Sequence, residues 1–199
     1  MKPQTKKSLH FSVTIAVITF VLAAIFSVVS ESILSNVIWV LGLVIVFIIV
    51  CIGVTFDMLG IAATAANEKP FHAMAAEKIT GAKESVKIIR NADKFASFCN
   101  DVIGDISGVV SGTASATVVL QLAEIFGKGE GSELQIILSV VLTSLVAALT
   151  VGGKAVGKYA AINSSTSLIF FAGKMVAFLE GRLKIRVLPN NNNKTGRNK

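Results

Sequence analysis

The stretch from Val37 to Ala66, VIWVLGLVIVFIIVCIGVTFDMLGIAATAA, carries a single charged side chain, Asp57, and its reading decides the fold. A membrane-spanning helix needs about 20 predominantly apolar residues. The run is therefore long enough to cross a bilayer and too long for one straight span. Helix kinks have identifiable local causes, so either it tilts, or its lower part leaves the membrane or bends, with Gly53, Asp57 and Gly60 marking the irregularity.

The same pattern recurs on both sides. Leu9 to Ser30, LHFSVTIAVITFVLAAIFSVVS, has no charge after His10. Lys2, Lys6 and Lys7 before it resemble the basic region of a signal peptide. Its apolar core exceeds the roughly 7–15 residues of such a peptide, and no A-x-A site follows, so a retained anchor is expected. A third span is predicted from about Cys99 to Phe126 and a fourth from about Leu134 to Val151. Composition agrees: mean hydropathy is +0.71, with 53% apolar and 16% charged residues, against roughly a quarter charged in soluble domains.

Asn67 to Phe98 differs in kind. Glu68-Lys69-Pro70 punctuates a helix start, since Pro suits a first turn. Met74, Ile79, Val86, Ile89 and Ala92 then recur near helical spacing between Lys and Glu. Gly81 divides this stretch into two short helices, giving an amphipathic hairpin on or below the membrane surface. Tyr159 to Leu179 is again apolar but interrupted by Lys174, and reads as an interfacial juxtamembrane helix. PNNNNKTGRNK at the end is polar and reads as disordered.

The 19 Lys and Arg against 12 Asp and Glu give a net charge of +7. In so apolar a chain they mark cytoplasmic loops beside anionic lipid rather than a nucleic-acid surface. Three precede span one and none follows it before span two. Six lie in the hairpin (Lys69, Lys78, Lys83, Lys87, Arg90, Lys94), Lys128 stands alone between spans three and four, and nine follow span four. The positive-inside rule then places both termini in the cytoplasm of a cell-membrane protein. The expected fold is all-α: a multi-pass bundle of four transmembrane helices with a cytoplasmic hairpin and a juxtamembrane helix. Residues 1–36 form a tail and first helix, 37–180 the main transmembrane domain, and 181–199 a basic tail.

Intramembrane carboxylates are functional-site hypotheses by default. Asp57 lies in the second run, and Asp101 and Asp105 open the third, beside Asn100. Asp101 and Asp105 are four apart and share a helix face, and oxygen ligands of this kind suit hard cations such as Mg²⁺. For Asp101 the alternative is a helix-start carboxylate favoured by the dipole. Gly104, Gly108 and Gly112, and likewise Ser107, Ser111 and Ser115, repeat every four residues, the pattern of close helix packing. Such packing would bring Asp57 to the Asn100–Asp105 face. Cys51 and Cys99 suggest neither a disulfide framework nor a thiol site, and His10 and His72 lie far apart. No phosphate loop, nucleophile elbow or HExxH appears, and Gly152-Gly153-Lys154 reads as the exit of span four. An enzyme is not expected.

The order of parts resembles the transmembrane domain of the CorB/CorC/cyclin M family over about residues 45–178. The resemblance rests on FDMLGIAATAANEKP (Phe56 to Pro70), GAKESVKIIRNADKFASF (Gly81 to Phe98), CNDVIGDISGVVSG (Cys99 to Gly112) and GGKAVGKYAAIN (Gly152 to Asn163). It implies Mg²⁺ (and Co²⁺) transport, with Asn100 matching the family's span-opening Asn and the region of Asp57 supplying oxygen ligands. The last-span exit departs from the family's Gly-Glu-x-x-Pro-Lys, reading Gly153-Lys154-Ala155-Val156-Gly157-Lys158, so a cation stands where the family has an acid. Larger members append nucleotide-sensing domains that residues 1–199 do not contain, so regulation by nucleotide is not expected. The resulting expectation is a homodimer, packed through small-residue faces in membrane lipid, that binds or transports a divalent cation at Asp57, Asn100, Asp101 and Asp105. The rival is a non-transporting accessory or scaffold protein. A proton- or sodium-coupled exchanger using Asp57 stands third.

Overall fold

The computed structural model describes residues 3–126 and 132–183, and these are helical with no strand. In chain order the helices are α1 (Pro3–Leu34), α2 (Trp39–Ala65), α3 (Lys69–Ala76), α4 (Ala82–Arg90), α5 (Ala92–Ser97), a π-helical turn (Phe98–Gly104), α6 (Asp105–Ile125), α7 (Glu133–Asn163) and α8 (Ser165–Leu183). Four stretches are long and apolar enough to cross a membrane: Ser12–Leu34, Trp39–Ala65, Ala92–Ile125 and Glu133–Asn163. The predicted loop around Lys128 and the tail beyond Leu183 lie outside the described residues.

Two details differ from the sequence reading. α2 is α-helical from end to end. The irregularity expected near Asp57 lies instead at Phe98–Gly104, where the Asp105 N–H donates to the Asn100 carbonyl five residues back. π turns inside longer helices are rare and often stand at functional sites. The helix of the fourth span does not end at Val151: α7 runs to Asn163, so Gly152-Gly153-Lys154 sits inside it.

By its contacts the chain divides into two units, Met1–Met58 with Ser97–Tyr159 and Leu59–Ala96 with Ala160–Lys199. In the first, α1 packs along α6. Leu34, Val46, Val50, Ala114, Val118 and Val146 form one core cluster, and Val102, Ile106 and Val110 a second. Ser107, Ser111 and Ser115 are buried, as the four-residue repeat predicts, and a Cβ on Gly53 would lie 2.8 Å from that of Ser107. The glycine repeat behaves differently: Gly104 is packed, while Gly108 and Gly112 have open space where a Cβ would stand. In the last turns of α6, the Gln121 amide donates to the carbonyls of Leu34 (2.8 Å) and Val37 (3.1 Å), tying off the end of α1. The outer faces of α1, α2 and α7 remain apolar and exposed, including Phe20, Val28, Phe47, Ile136, Val140 and Val151. An exposed apolar face of that extent fits hydrocarbon rather than water as its solvent.

The second unit holds the hairpin. Asn67 accepts a bond from the Lys69 N–H at the start of α3 (3.0 Å). Gly81, at φ 91°, takes the left-handed conformation that reverses the chain between α3 and α4. Phe71, Ala82, Ser85, Val86 and Ile88 are buried, while Ile79, assigned to the apolar stripe, is exposed. The partner that buries α4 is α8. The Ser85 hydroxyl donates to the Ile169 carbonyl at 3.0 Å, and Gly173 leaves room for that hydroxyl and the Gly81 carbonyl. Lys87 bridges Glu84 (3.9 Å) and Glu180 (3.7 Å). Glu68 takes the Arg90 guanidinium at 2.6 Å and the His72 ring at 2.8 Å. Burial raises its carboxyl pKa, but these two partners outweigh that and leave it below the ordinary 4.5.

Candidate functional site

The site begins with the packing of α2 on α7. A Cβ on Gly157 would lie 2.6 Å from Met58 Cγ, and one on Gly153 would lie 3.0 Å from Val54 Cγ2. Val54 and Met58 are one helical turn apart, and so are Gly153 and Gly157. Two ridge residues thus lie in two glycine notches, the small-xxx-small contact by which membrane helices approach closely. Asp57 and Lys154 fall within this contact.

Lys154 Nζ stands 3.5 Å from Asp57 Oδ1 and 3.9 Å from Asp105 Oδ1. The three differ in access: the Asp57 side chain is 14% exposed, Lys154 28% and Asp105 68%. The π turn brings the third helix to the pair. A Cβ at Gly104, its last residue, would lie 3.6 Å from Lys154 Nζ and 3.7 Å from Asp57 Oδ1. The glycine therefore opens the space in which ammonium and carboxylate meet. Formal charge in the triad is −1.

Of the four residues expected to hold a cation, Asp57 and Asp105 converge, on a lysine ammonium. Asn100 lies in the π turn, half-buried, with a buried Oδ1 that has no hydrogen-bond partner among the described residues. Asp101 lies in the same turn and is exposed. Among the described residues no three His, Cys, Asp or Glu side chains are grouped so as to hold a metal ion. Lys154 was noted from the sequence as a cation standing where the resembling family has an acid, but was not read as the partner of Asp57 and Asp105. Its signal was present: Gly153-x-x-x-Gly157 is the same motif recognised in the third span, and a lysine inside such a contact must meet the opposite helix.

Chemically, the arrangement is a carboxylate pair whose negative charge is met by a tethered cation, with one orphan amide oxygen in the neighbouring turn. The fold defines a class, α-helical proteins with four membrane-length helices. Comparison with protein families, with curated proteins and with solved structures gave no match that would narrow it.

Proposed function

We propose that the chain is a multi-pass membrane protein that binds, and by rearrangement of its second and third membrane helices transports, a divalent cation of the Mg²⁺ (or Co²⁺) type. The observation that carries this reading is the position of Lys154 Nζ between Asp57 and Asp105. Two carboxylates already bind a positive charge in the apolar part of the chain, and Mg²⁺ is often held by only one or two carboxylates with waters completing its shell. In this reading Asp57 and Asp105 are the direct ligands, the orphan Asn100 oxygen joins them, Asp101 acts through water, and Lys154 swings away when the ion arrives. Both termini in the cytoplasm, α8 lying along the inner surface, and a homodimer joined through the open Gly108–Gly112 face belong to the same proposal, as does its likeness to the CorB/CorC/cyclin M transmembrane domain.

Lys154 also favours a second reading, an accessory or scaffold protein in which the ammonium fills the carboxylate pair permanently. Thermal unfolding of the detergent-purified chain across a Mg²⁺ titration separates the two. A ligand that binds only the folded state stabilises it by about 2.7 kcal/mol at a hundredfold excess over Kd. The cation reading expects stabilisation of the wild type by millimolar Mg²⁺ on this scale, larger stabilisation of Lys154→Met, and none of Asp57→Asn. No response in either wild type or Lys154→Met sinks it and leaves the scaffold.

A further inference from the structure

A second feature of the first unit lies apart from the charge triad. Between α1, α2 and the π turn with α6 is a cavity of about 580 Å³, within the roughly 300–1,000 Å³ typical of small-molecule sites. Its wall is apolar except for Ser30 and Ser107. Ser30 is only 7% exposed, and its buried hydroxyl has no hydrogen-bond partner among the described residues. Helical serines ordinarily bond back to a carbonyl one turn earlier, as Ser115 does to Ser111. A buried hydroxyl without a partner costs free energy and calls for an explanation.

Three dimensions identify what would fill the cavity. On α1 the lining runs from Leu22 to Leu34, about 18 Å at 1.5 Å per residue. On α2 it runs from Ile45 to Phe56, about 16 Å by the same rise. One leaflet of a hydrocarbon core about 30 Å thick is about 15 Å deep. Ser30 lies one turn inside Leu34, the end of the membrane-length run, hence about 6 Å from that boundary. Ser30 thus stands at the headgroup end of the cavity, about one helical turn below the level at which an acyl chain meets its ester. Finally, Phe26, Val29 and Ile33 on α1 and Ile52 on α2 line the cavity and are also exposed. It therefore opens sideways, toward the acyl chains of the bilayer.

We propose that this cavity is a binding site for one acyl chain of a glycerophospholipid, held in place with its ester carbonyl accepting a hydrogen bond from the Ser30 hydroxyl. The lipid is a resident of the fold, distinct from the exchanging lipid around it. The proposal needs only that the chain sits in a bilayer, and stands or falls separately from the cation site. Native mass spectrometry of the full chain, purified in mild detergent and washed through a delipidation series, tests it. The wild type is expected to keep one adduct of glycerophospholipid mass per chain. Ile49→Trp, which fills the cavity, is expected to lose it. Ser30→Ala is expected to shed it about two- to tenfold more readily, the factor of one ordinary hydrogen bond. Ser30→Ala removes a hydroxyl that has no hydrogen-bond partner among the described residues, so it is expected to fold as the wild type does and decides alone if Ile49→Trp does not fold. A wild type carrying no lipid, an adduct of detergent or free fatty acid only, an adduct retained by folded Ile49→Trp, or equal retention by Ser30→Ala each overturns the proposal.

Discussion

Replacing Lys154 by Met tests the charge triad most directly, because methionine keeps much of the length of the side chain and removes only the ammonium. At 3.5 Å from Asp57, and with the effective dielectric of about 20 that suits protein sites, the gross attraction is about 4.7 kcal/mol. Asp105 is 3.9 Å away but 68% exposed, and in a water-like dielectric its attraction is about 1 kcal/mol. The larger figure is a ceiling. Desolvating the pair offsets part of it. Lys154→Met is therefore expected to lose about 2–4 kcal/mol, somewhat under the 3–5 kcal/mol of a fully buried pair that is broken. The assay is reversible unfolding in mixed micelles of Lys154→Met, Asp57→Asn, Asp105→Asn and the two double variants. The cycle through Asp57 should return a coupling of about 2–4 kcal/mol, and the cycle through Asp105 less than about 1 kcal/mol. Equal couplings, or a coupling to Asp57 below about 0.5 kcal/mol, would refute the reasoning from burial and distance.

Three further outcomes can be checked. Gly173→Ala drives a methyl into the Ser85 hydroxyl and the Gly81 carbonyl; it should cost about 1–3 kcal/mol and speed amide hydrogen exchange in α4 and α8, while α1 and α6 keep their protection. Gln121→Leu strips the donor from the Leu34 and Val37 carbonyls but also removes a buried amide oxygen that has no partner among the described residues. The net loss should therefore be near about 1 kcal/mol, the low end for an unmade hydrogen bond, and a loss above about 3 kcal/mol in chemical unfolding would contradict that account. Glu68 titrates below its ordinary 4.5 because Arg90 and His72 outweigh its burial, so its stabilisation is present above that value and disappears as pH falls through the folded-state pKa. Stability measured from about pH 6 to about pH 3 should fall more steeply in the wild type than in Glu68→Gln, and parallel curves would contradict it.

What the sequence disclosed, and what it hid, follows from the range of the interactions involved. Asp57 was legible because one charge in thirty apolar residues has no local explanation, and the structure gives it a charged partner 97 positions away. That partner was hidden by a length argument. Val151 completes about 20 residues of span, and the glycines after it read as a stop. Yet a mid-helix glycine costs only about 1 kcal/mol, which close packing on Val54 and Met58 offsets. Gly53 was read as part of a bend, whereas it makes room for Ser107 and leaves α2 regular. The turn at Gly81 was legible from local chemistry alone. The burial of Ser85 and Ile88 was not, because α8 lies more than 80 positions along the chain. The π turn carried no sequence signal that periodicity can detect in seven residues.

The gradient of exposure across the triad bears on how a cation would use it. Exposure rises from Asp57 at 14% through Lys154 at 28% to Asp105 at 68%, so the charges form a short ramp from the packed interior to the surface of the chain. Under the cation reading proposed above, an arriving divalent ion would meet Asp105 first and would reach Asp57 only by displacing Lys154. Displacement is electrostatically feasible because the ion brings +2 to a pair that the ammonium neutralises by only +1. The lysine, already partly exposed, regains hydration as it leaves. On this argument Asp105→Asn should slow binding and leave final affinity nearly unchanged, since an exposed charge acts mainly on association, while Asp57→Asn should abolish binding. Stopped-flow measurement of Mg²⁺ uptake with an indicator dye in the two variants distinguishes these roles, and a large affinity loss in Asp105→Asn would place the ion at the mouth of the ramp rather than at its end.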